Sequence, residues 1–555
     1  MPQHFSRRRF TLAAMGSAAA LAGTRIAPAA ASPQRPHGSE RSRHQDSNRG
    51  QHANGGTAGL PVDGFADDPR SWSAWSARGS RPALSFDRGM SISWHSRSAT
   101  VGAVRTVGGQ DWSGYRELEI VMQSTDLSPN TRLRLIADDG TESSVRVPAE
   151  PHGRSGRRGW LEIRIDLGDV EPAILARIAE LRIEHRPTGG RPGTLQIRSL
   201  TLINSRGLYG PSTFLDPALS TYDYPERNWS TIATRVRDQG FTAVHLIILD
   251  FSQDYSEIID ALRGIGLKVS LTIFPTTNVA AYNEHPQWRQ LSLGGDSSYS
   301  WRVYLSPTNS AFVDWLHQQI DALMSRYSFD GLTLDEPWYE VWGGPYRDNE
   351  AHTHYMDISS SARQSFQQCY GFDPLPVLFS KDDDGVYYLT PGKEDSAEYR
   401  QWVQFRIDTI NQFMRGIADV ARAGRDIDVF LTYVADVRVP DGYGKSPEYQ
   451  AQDIPSMQEI VQPQGVIFET AWQDWLQPDL DPDYVLDYTK AYVPQLEPGV
   501  VGFGQPDIGS VVQRDMTWVK EFSADCWTGG FGGYVIYEWS IGDWVTGGPP
   551  LDYGS

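Results

Sequence analysis

Cysteine is nearly absent: the 555 residues contain only Cys369 and Cys526. Two thiols exclude a disulfide framework and a cysteine-rich metal site, and they read as two buried free thiols rather than a bridge. Long apolar runs are also missing. Beyond the N-terminal segment nothing approaches the roughly 18 apolar residues of a spanning helix, which predicts a soluble mature protein with no membrane anchor. No glycine-rich phosphate loop follows the first strand-like run, so a doubly wound cofactor fold is disfavoured and no cofactor is expected. No G-x-S-x-G turn occurs on a strand-to-helix junction, and neither cysteine closes a strand beside a histidine, which weighs against ester or peptide hydrolysis.

Histidine is missing from the strand ends as well. His245 lies inside the apolar run "VHLIIL" and reads as a core imidazole, while the contiguous acids of "KDDDG" at 381–385 read as a solvated loop. No metal site is expected, because zinc favours nitrogen and sulfur ligands and magnesium sites usually serve phosphates. Positive charge is scarce in the second part of the chain. Residues 1–205 carry 27 Arg and Lys against 20 acids, a net +7, and residues 206–555 carry 23 against 49, a net −26. A field of that sign repels nucleic acid and anionic membrane surfaces.

What is present divides into four segments. Residues 1–31 combine a basic start, an apolar stretch and small residues at Ala29, Ala30 and Ala31, which is an export signal; Arg7 and Arg8 before Phe10 and Leu12 resemble the twin-arginine pattern, predicting a secreted protein. Residues 32–59 contain almost no large apolar side chain and read as a disordered linker. Over residues 60–205, short segments of period-two alternation such as "GYRELEIVMQS" and "GTLQIRSLTLINS" predict an antiparallel β-sandwich. Their order resembles the galactose-binding-like jelly rolls that accompany polysaccharide-degrading enzymes. That resemblance implies either a carbohydrate-binding module or a packing partner.

From residue 206 to 555, strand-like and helix-like runs alternate. Eight strands are predicted, beginning at Gly207, Ala243, Leu267, Phe329, Ile427, Gly465, Val500 and Gly533, with amphipathic helices such as "NSAFVDWLHQQIDALMSRY" between them. Eight strand–helix units predict a (β/α)8 TIM barrel, whose active site lies at the C-terminal ends of the strands. The polar residues closing the runs are Asp250, Asp335 with Glu336, Asp436, Glu469, Gln505 and Glu538. Aromatics follow the same acid-bearing strands: Trp338 and Trp342, Trp472 and Trp475, Trp539 and Trp544. Flat indoles pack against the C–H faces of sugar rings. A pair of carboxylates, one protonated and one ionised, is what glycosidic bond cleavage needs.

The run "FDGLTLDEP" resembles the fourth-strand motif of secreted barrel glycoside hydrolases, and two mappings of that resemblance conflict. Similarity to dextranase-like families implies Asp335 as nucleophile and Glu469 as acid/base. Similarity to the "NEP" clan implies Glu336 as acid/base, but Asp335 replaces the expected Asn and the seventh strand ends on Gln505, with the next acid at Glu538. The first mapping is preferred. Alternation adds to it, since Thr333 and Asp335 share one strand face and Leu332 and Leu334 the other. The catalytic candidates are thus Asp335, Glu469, Glu336 and Glu538. The substrate-binding candidates are Asp250, Trp338, Trp342, Asp436, Trp472, Gln505 and Trp539. The expected substrate is a polysaccharide or oligosaccharide, cut with retention of configuration; no oligomeric state is assigned. The rival expectation is a non-catalytic carbohydrate-binding or cell-envelope protein with a degenerate barrel. A polysaccharide lyase would need a basic cleft, which the acidic barrel lacks.

Overall fold

The computed structural model describes residues 60–542 apart from 64, 66–70, 78–80, 87–88, 96–98, 125–130, 148–159, 188–191, 218–227, 300–301, 340–343, 349–352 and 438–445. The export signal and linker expected over residues 1–59 lie outside the described residues, as do Trp342 and Trp544.

The alternating segments form two antiparallel sheets. One runs in the order Ala83–Phe86, Met90–Trp94, Gly193–Ser205, Tyr115–Ser124, Leu161–Asp166, with Leu60–Asp63 also against Gly193–Ser205. The other runs Trp72–Ser76, Val101–Gln110, Ile178–His185, Thr131–Ala137, Glu142–Arg146. Leu118, Ile120 and Ile197 of the first sheet share a core with Leu133, Leu135 and Leu181 of the second. Alternation dictates this: in Tyr115–Ser124, buried Leu118, Ile120 and Met122 are spaced by two, with Glu119 and Val121 between them only partly buried.

A closed parallel barrel follows, of strands Ser212–Leu215, Ala243–Ile247, Lys268–Ile273, Gly331–Leu334, Asp428–Val434, Gly465–Glu469, Val501–Gln505 and Gly533–Ile536, referred to below as the first to eighth. Seven fall within the predicted runs; the first begins at Ser212 rather than Gly207 and ends at Leu215, one residue past its run, because Gly207–Tyr209 forms a 3-10 turn. Each strand is buried on both faces, which is why it reads as a continuous apolar run rather than an alternating one. Val244, Leu271, Leu332, Leu334, Val466, Phe468 and Ile536 belong to the core shared with the surrounding helices. The opposite parity, Phe214, Ala243, Ile247, Phe430, Ile467, Phe503 and Val535, fills the barrel interior. His245 is the expected core imidazole: Nδ1 lies 2.7 Å from the Thr333 hydroxyl, and burial pushes its pKa down to about 3, so it is neutral.

The antiparallel part docks on the N-terminal end of the barrel. Asp111 accepts from the Ser113 N–H and O–H at 2.9 and 2.6 Å, and its other oxygen lies 3.5 Å from the hydroxyl of Tyr534 at the start of the eighth strand. Arg206 lies over the ring of Trp527. At Gly114 a Cβ would come within 2.5 Å of Thr242 Cγ2, just before the second strand, so only glycine permits this approach. Both cysteines are free; Cys526 is buried but Cys369 is exposed, which corrects the expectation of two buried thiols. Among the described residues no helix is long and apolar enough to cross a membrane.

Candidate active site

The barrel's inward parity decides which strand-end residues meet. In the fourth strand Thr333 bonds to His245 and to Ser270, both among the interior side chains, so Asp335 two residues later keeps the inward direction. Leu334 pairs with Leu431, which puts Asp335 level with Thr432 of the fifth strand. The sixth strand runs from interior Ile467 to Glu469, and the seventh from interior Phe503 to Gln505, with Glu469 and Gln505 direct register partners. The eighth runs from interior Val535 to Tyr537. Asp335, Glu469, Gln505 and Tyr537 thus all carry the inward parity at or just past the C-terminal ends of their strands.

Asp335 is 3% exposed, and burial pushes its pKa up to about 7 against the opposing pull of the Thr432 hydroxyl and the Arg302 charge. Its backbone N–H is anchored on the Ile273 carbonyl at 2.8 Å. Glu336 begins the loop in a left-handed conformation, φ 43°, with its carboxylate paired to Arg302. That guanidinium is itself buried and lies over Phe274 and Tyr304, 5.2 and 5.5 Å from the ring centroids. Glu336 therefore holds a charge pair at the site's edge. Glu469 is half-buried and more open than Asp335.

Glu538 does not join them. It is fully buried and both oxygens are committed: one accepts from the Asp216 N–H at 3.2 Å, and the other caps the turn at Ser540. Its carboxyl, expected to be catalytic, thus ties the eighth strand to the residue after the first. Burial and then the neighbouring Asp216 raise its pKa well above the usual range. Trp539, expected to bind substrate, is fully buried in the helix–sheet core with its indole N–H on Gln239. Trp338 is 3% exposed and offers no open ring face. Asp250 is exposed and spends one oxygen on the N–H and O–H of Ser252, at 2.9 and 2.6 Å. Asp436 is buried two residues past the fifth strand, its backbone clamped by the Tyr492 hydroxyl. Trp472 stands half-buried at the start of the helix Trp472–Trp475, three residues after Glu469.

Three residues at the mouth escaped sequence reading: Arg302, Asp507 and Tyr537. Asp507 extends the seventh strand's inward parity and bridges to Tyr537; it is 3% exposed, and burial pushes its pKa up to about 6. Tyr537 is raised well above its usual pKa by burial first and then by Asp216, Glu538, Asp335 and Asp507. Its hydroxyl therefore stays neutral within a ring of acids. Counting by two from Val535 would have found Tyr537, and from Phe503 would have found Asp507.

No family model matches the chain. One curated relative, an S-layer-related protein of Niallia circulans, is 25% identical over 202 residues, which is 33% of this chain and 12% of that protein. Solved structures of similar shape include a β-galactosidase from the psychrophilic Marinomonas ef1, 15% identical, with 60% of this chain and 54% of that one covered at a TM-score of 0.40. The glycoside hydrolase domain of PgaB from Bordetella bronchiseptica is 14% identical, with 59% and 93% covered at 0.44. A family 11 carbohydrate-binding module from Clostridium thermocellum is 14% identical, with 27% and 98% covered at 0.21. The chain spans about half of the β-galactosidase and about an eighth of the S-layer-related protein.

Proposed function

We propose that the chain is a secreted glycoside hydrolase that cleaves a polysaccharide or oligosaccharide at the barrel mouth with Asp335 and Glu469. The observation that carries this reading is the state of Asp335: inward at the mouth, buried, and with a pKa raised to about 7. A carboxyl of that kind holds a proton near neutrality and can deliver it to a leaving oxygen. This reverses the roles implied by the resemblance, because the more open Glu469 suits the ionised partner.

In the proposed retaining course, Glu469 attacks the anomeric carbon as Asp335 protonates the departing oxygen, which leaves a glycosyl ester on Glu469. Asp335, now ionised, takes a proton from water, whose oxygen attacks the same carbon and releases Glu469. Residues 1–31 act as a twin-arginine signal, residues 32–59 as a linker, and residues 60–205 as a jelly-roll sandwich of carbohydrate-binding type. Residues 206–555 are the catalytic part.

Asp335→Asn and Glu469→Gln, assayed against a polysaccharide panel with products separated by chromatography, test the reading. Each should lower turnover by about 10²–10⁴-fold while sugar binding persists. Unchanged turnover in both variants overturns it. A second reading, a non-catalytic envelope protein, is favoured by the commitment of Glu336 to Arg302 and of Glu538 to turn capping. Sugar binding by the wild type without turnover on any substrate selects that reading.

A further inference from the structure

The seventh strand carries two buried acceptors that the two-carboxylate chemistry does not use. Gln505 and Asp507 are each 3% exposed, and among the described residues neither Gln505 Oε1 nor Asp507 Oδ2 has a hydrogen-bond donor. Both follow Phe503, an interior residue, at spacings of two, and the parallel bridge from Asp507 to Tyr537 carries the ladder past the strand's end. Both side chains therefore face the barrel mouth on the side of Glu469, the register partner of Gln505.

The rest of each residue is firmly held. The Gln505 carbonyl accepts from the Thr470 N–H and O–H, both at 3.0 Å. Asp507 Oδ1 accepts from the N–H groups of Gly509 and Ser510 at 3.0 and 2.9 Å, and the Ser510 hydroxyl also bonds the carboxyl. A buried acceptor without a donor costs free energy, whereas the same acceptor preset in place gains affinity when a ligand supplies the donor. Two such oxygens on consecutive inward positions call for two hydroxyl donors carried by one ligand.

We infer that Gln505 and Asp507 form a hydroxyl-accepting subsite that grips a pair of neighbouring hydroxyls on the sugar ring beside Glu469. The inference deepens the hydrolase reading and rests on it for the sugar class; it adds that the ring must present free hydroxyls there, so a sugar deoxygenated or O-methylated at those positions is rejected. Discrimination of this sort is steep, because the analogue leaves the protein's acceptors unpaired.

Binding is measured on the full chain carrying Asp335→Asn, so that turnover is not needed, by saturation-transfer NMR and calorimetry. The probes are the methyl glycosides of galactose, glucose, mannose and N-acetylglucosamine, and then the monodeoxy series of whichever binds. Gln505→Leu removes one acceptor, and Asp507→Asn turns Oδ2 into a donor while sparing the turn held by Oδ1. Each variant should weaken binding by about tenfold or more, the loss of one hydrogen bond to a buried group. In Gln505→Leu the thermal midpoint should hold or rise, because no internal bond is lost. Two monodeoxy sugars should bind as weakly to the parent as the intact sugar does to the variants.

Unchanged affinity in both variants overturns the inference, as does a wild-type chain that binds none of the probes. A fall in the midpoint of Gln505→Leu with affinity unaltered also overturns it, since it marks a structural role. If Asp335→Asn keeps full turnover but Gln505→Leu still weakens sugar binding, the carboxylate assignment fails and the subsite stands.

Discussion

The backbone N–H of Glu336 rests on the hydroxyl oxygen of Thr432 at 2.6 Å, and that same hydroxyl hydrogen-bonds the carboxyl of Asp335. One threonine thus serves both acids of the fourth strand: it accepts from the strained loop residue and donates to the buried carboxyl. It is the joint through which the fifth strand sets the protonation of the fourth.

Replacing Thr432 with Val removes that joint while keeping the side-chain shape. The hydrogen bond lowers the pKa of Asp335, so its loss raises it. For a carboxyl that must be protonated to act, the rate falls as pH rises through its pKa; in the wild type the alkaline limb should sit near pH 7. In Thr432→Val that limb should move to higher pH, and the pH profile of kcat/KM measures it. A limb that stays in place refutes the role.

Arg302 holds the other side of the pair. Changing it to Met leaves Glu336 without its partner and takes a stabilising positive charge from Asp335. Breaking a largely buried ion pair by removing one partner should cost about 3 kcal/mol of stability, read from urea unfolding. The alkaline limb should again shift upward, which a purely structural loss would not produce.

Asp111, between the antiparallel sheets and the barrel, makes stability depend on pH. Burial pushes its pKa up to about 6 from an ordinary carboxyl value near 3.8. The folded protein binds this proton more tightly than the unfolded chain, so the contribution is full below about pH 4 and lost as pH rises through 6. Two pKa steps correspond to about 3 kcal/mol. Asp111→Asn retains an oxygen for the Ser113 N–H but cannot ionise. Its thermal midpoint should exceed that of the wild type at pH 8, and the gap should close by pH 4. Calorimetry across that range decides it.

The eighth strand offers a contrast between neighbours. Tyr537→Phe should leave the fold intact and change kcat or its pH profile, because the hydroxyl sits among the mouth carboxyls. Glu538→Ala should instead lower stability by about 1–3 kcal/mol, since the Asp216 and Ser540 N–H groups lose their acceptor. Thermal melts beside kinetics separate the two effects; the reverse pattern would refute this division of roles.

Much of this was legible in the chain itself. A parallel strand covered on both faces must be apolar throughout, so the eight runs stood out, and the helices between them carried period-3.6 faces, as in Ser310–Arg326 with buried Phe312, Leu316, Ile320 and Leu323. Asp335 was legible because Thr333 fixed the parity. Glu538 is conspicuous as an acid, but the commitment of its carboxyl to the N–H groups of Asp216 and Ser540 arises only in the folded chain. Thr432 and Arg302 were not legible at all. Their roles arise from register between strands and loops far apart in sequence, 96 residues for Glu336 and Thr432 and 34 for Arg302 and Glu336.

The seat of the antiparallel sheets, through Asp111, Gly114 and Arg206, lies at the opposite pole of the barrel from Asp335. A glycan gripped by those sheets would not feed directly into the mouth. Under the proposed function, sugar-binding sheets and a hydrolytic mouth so arranged would engage separate strands of a meshwork, with the barrel as the strut between them, and deleting the sheets would weaken adhesion to insoluble material while hydrolysis of short soluble chains continued.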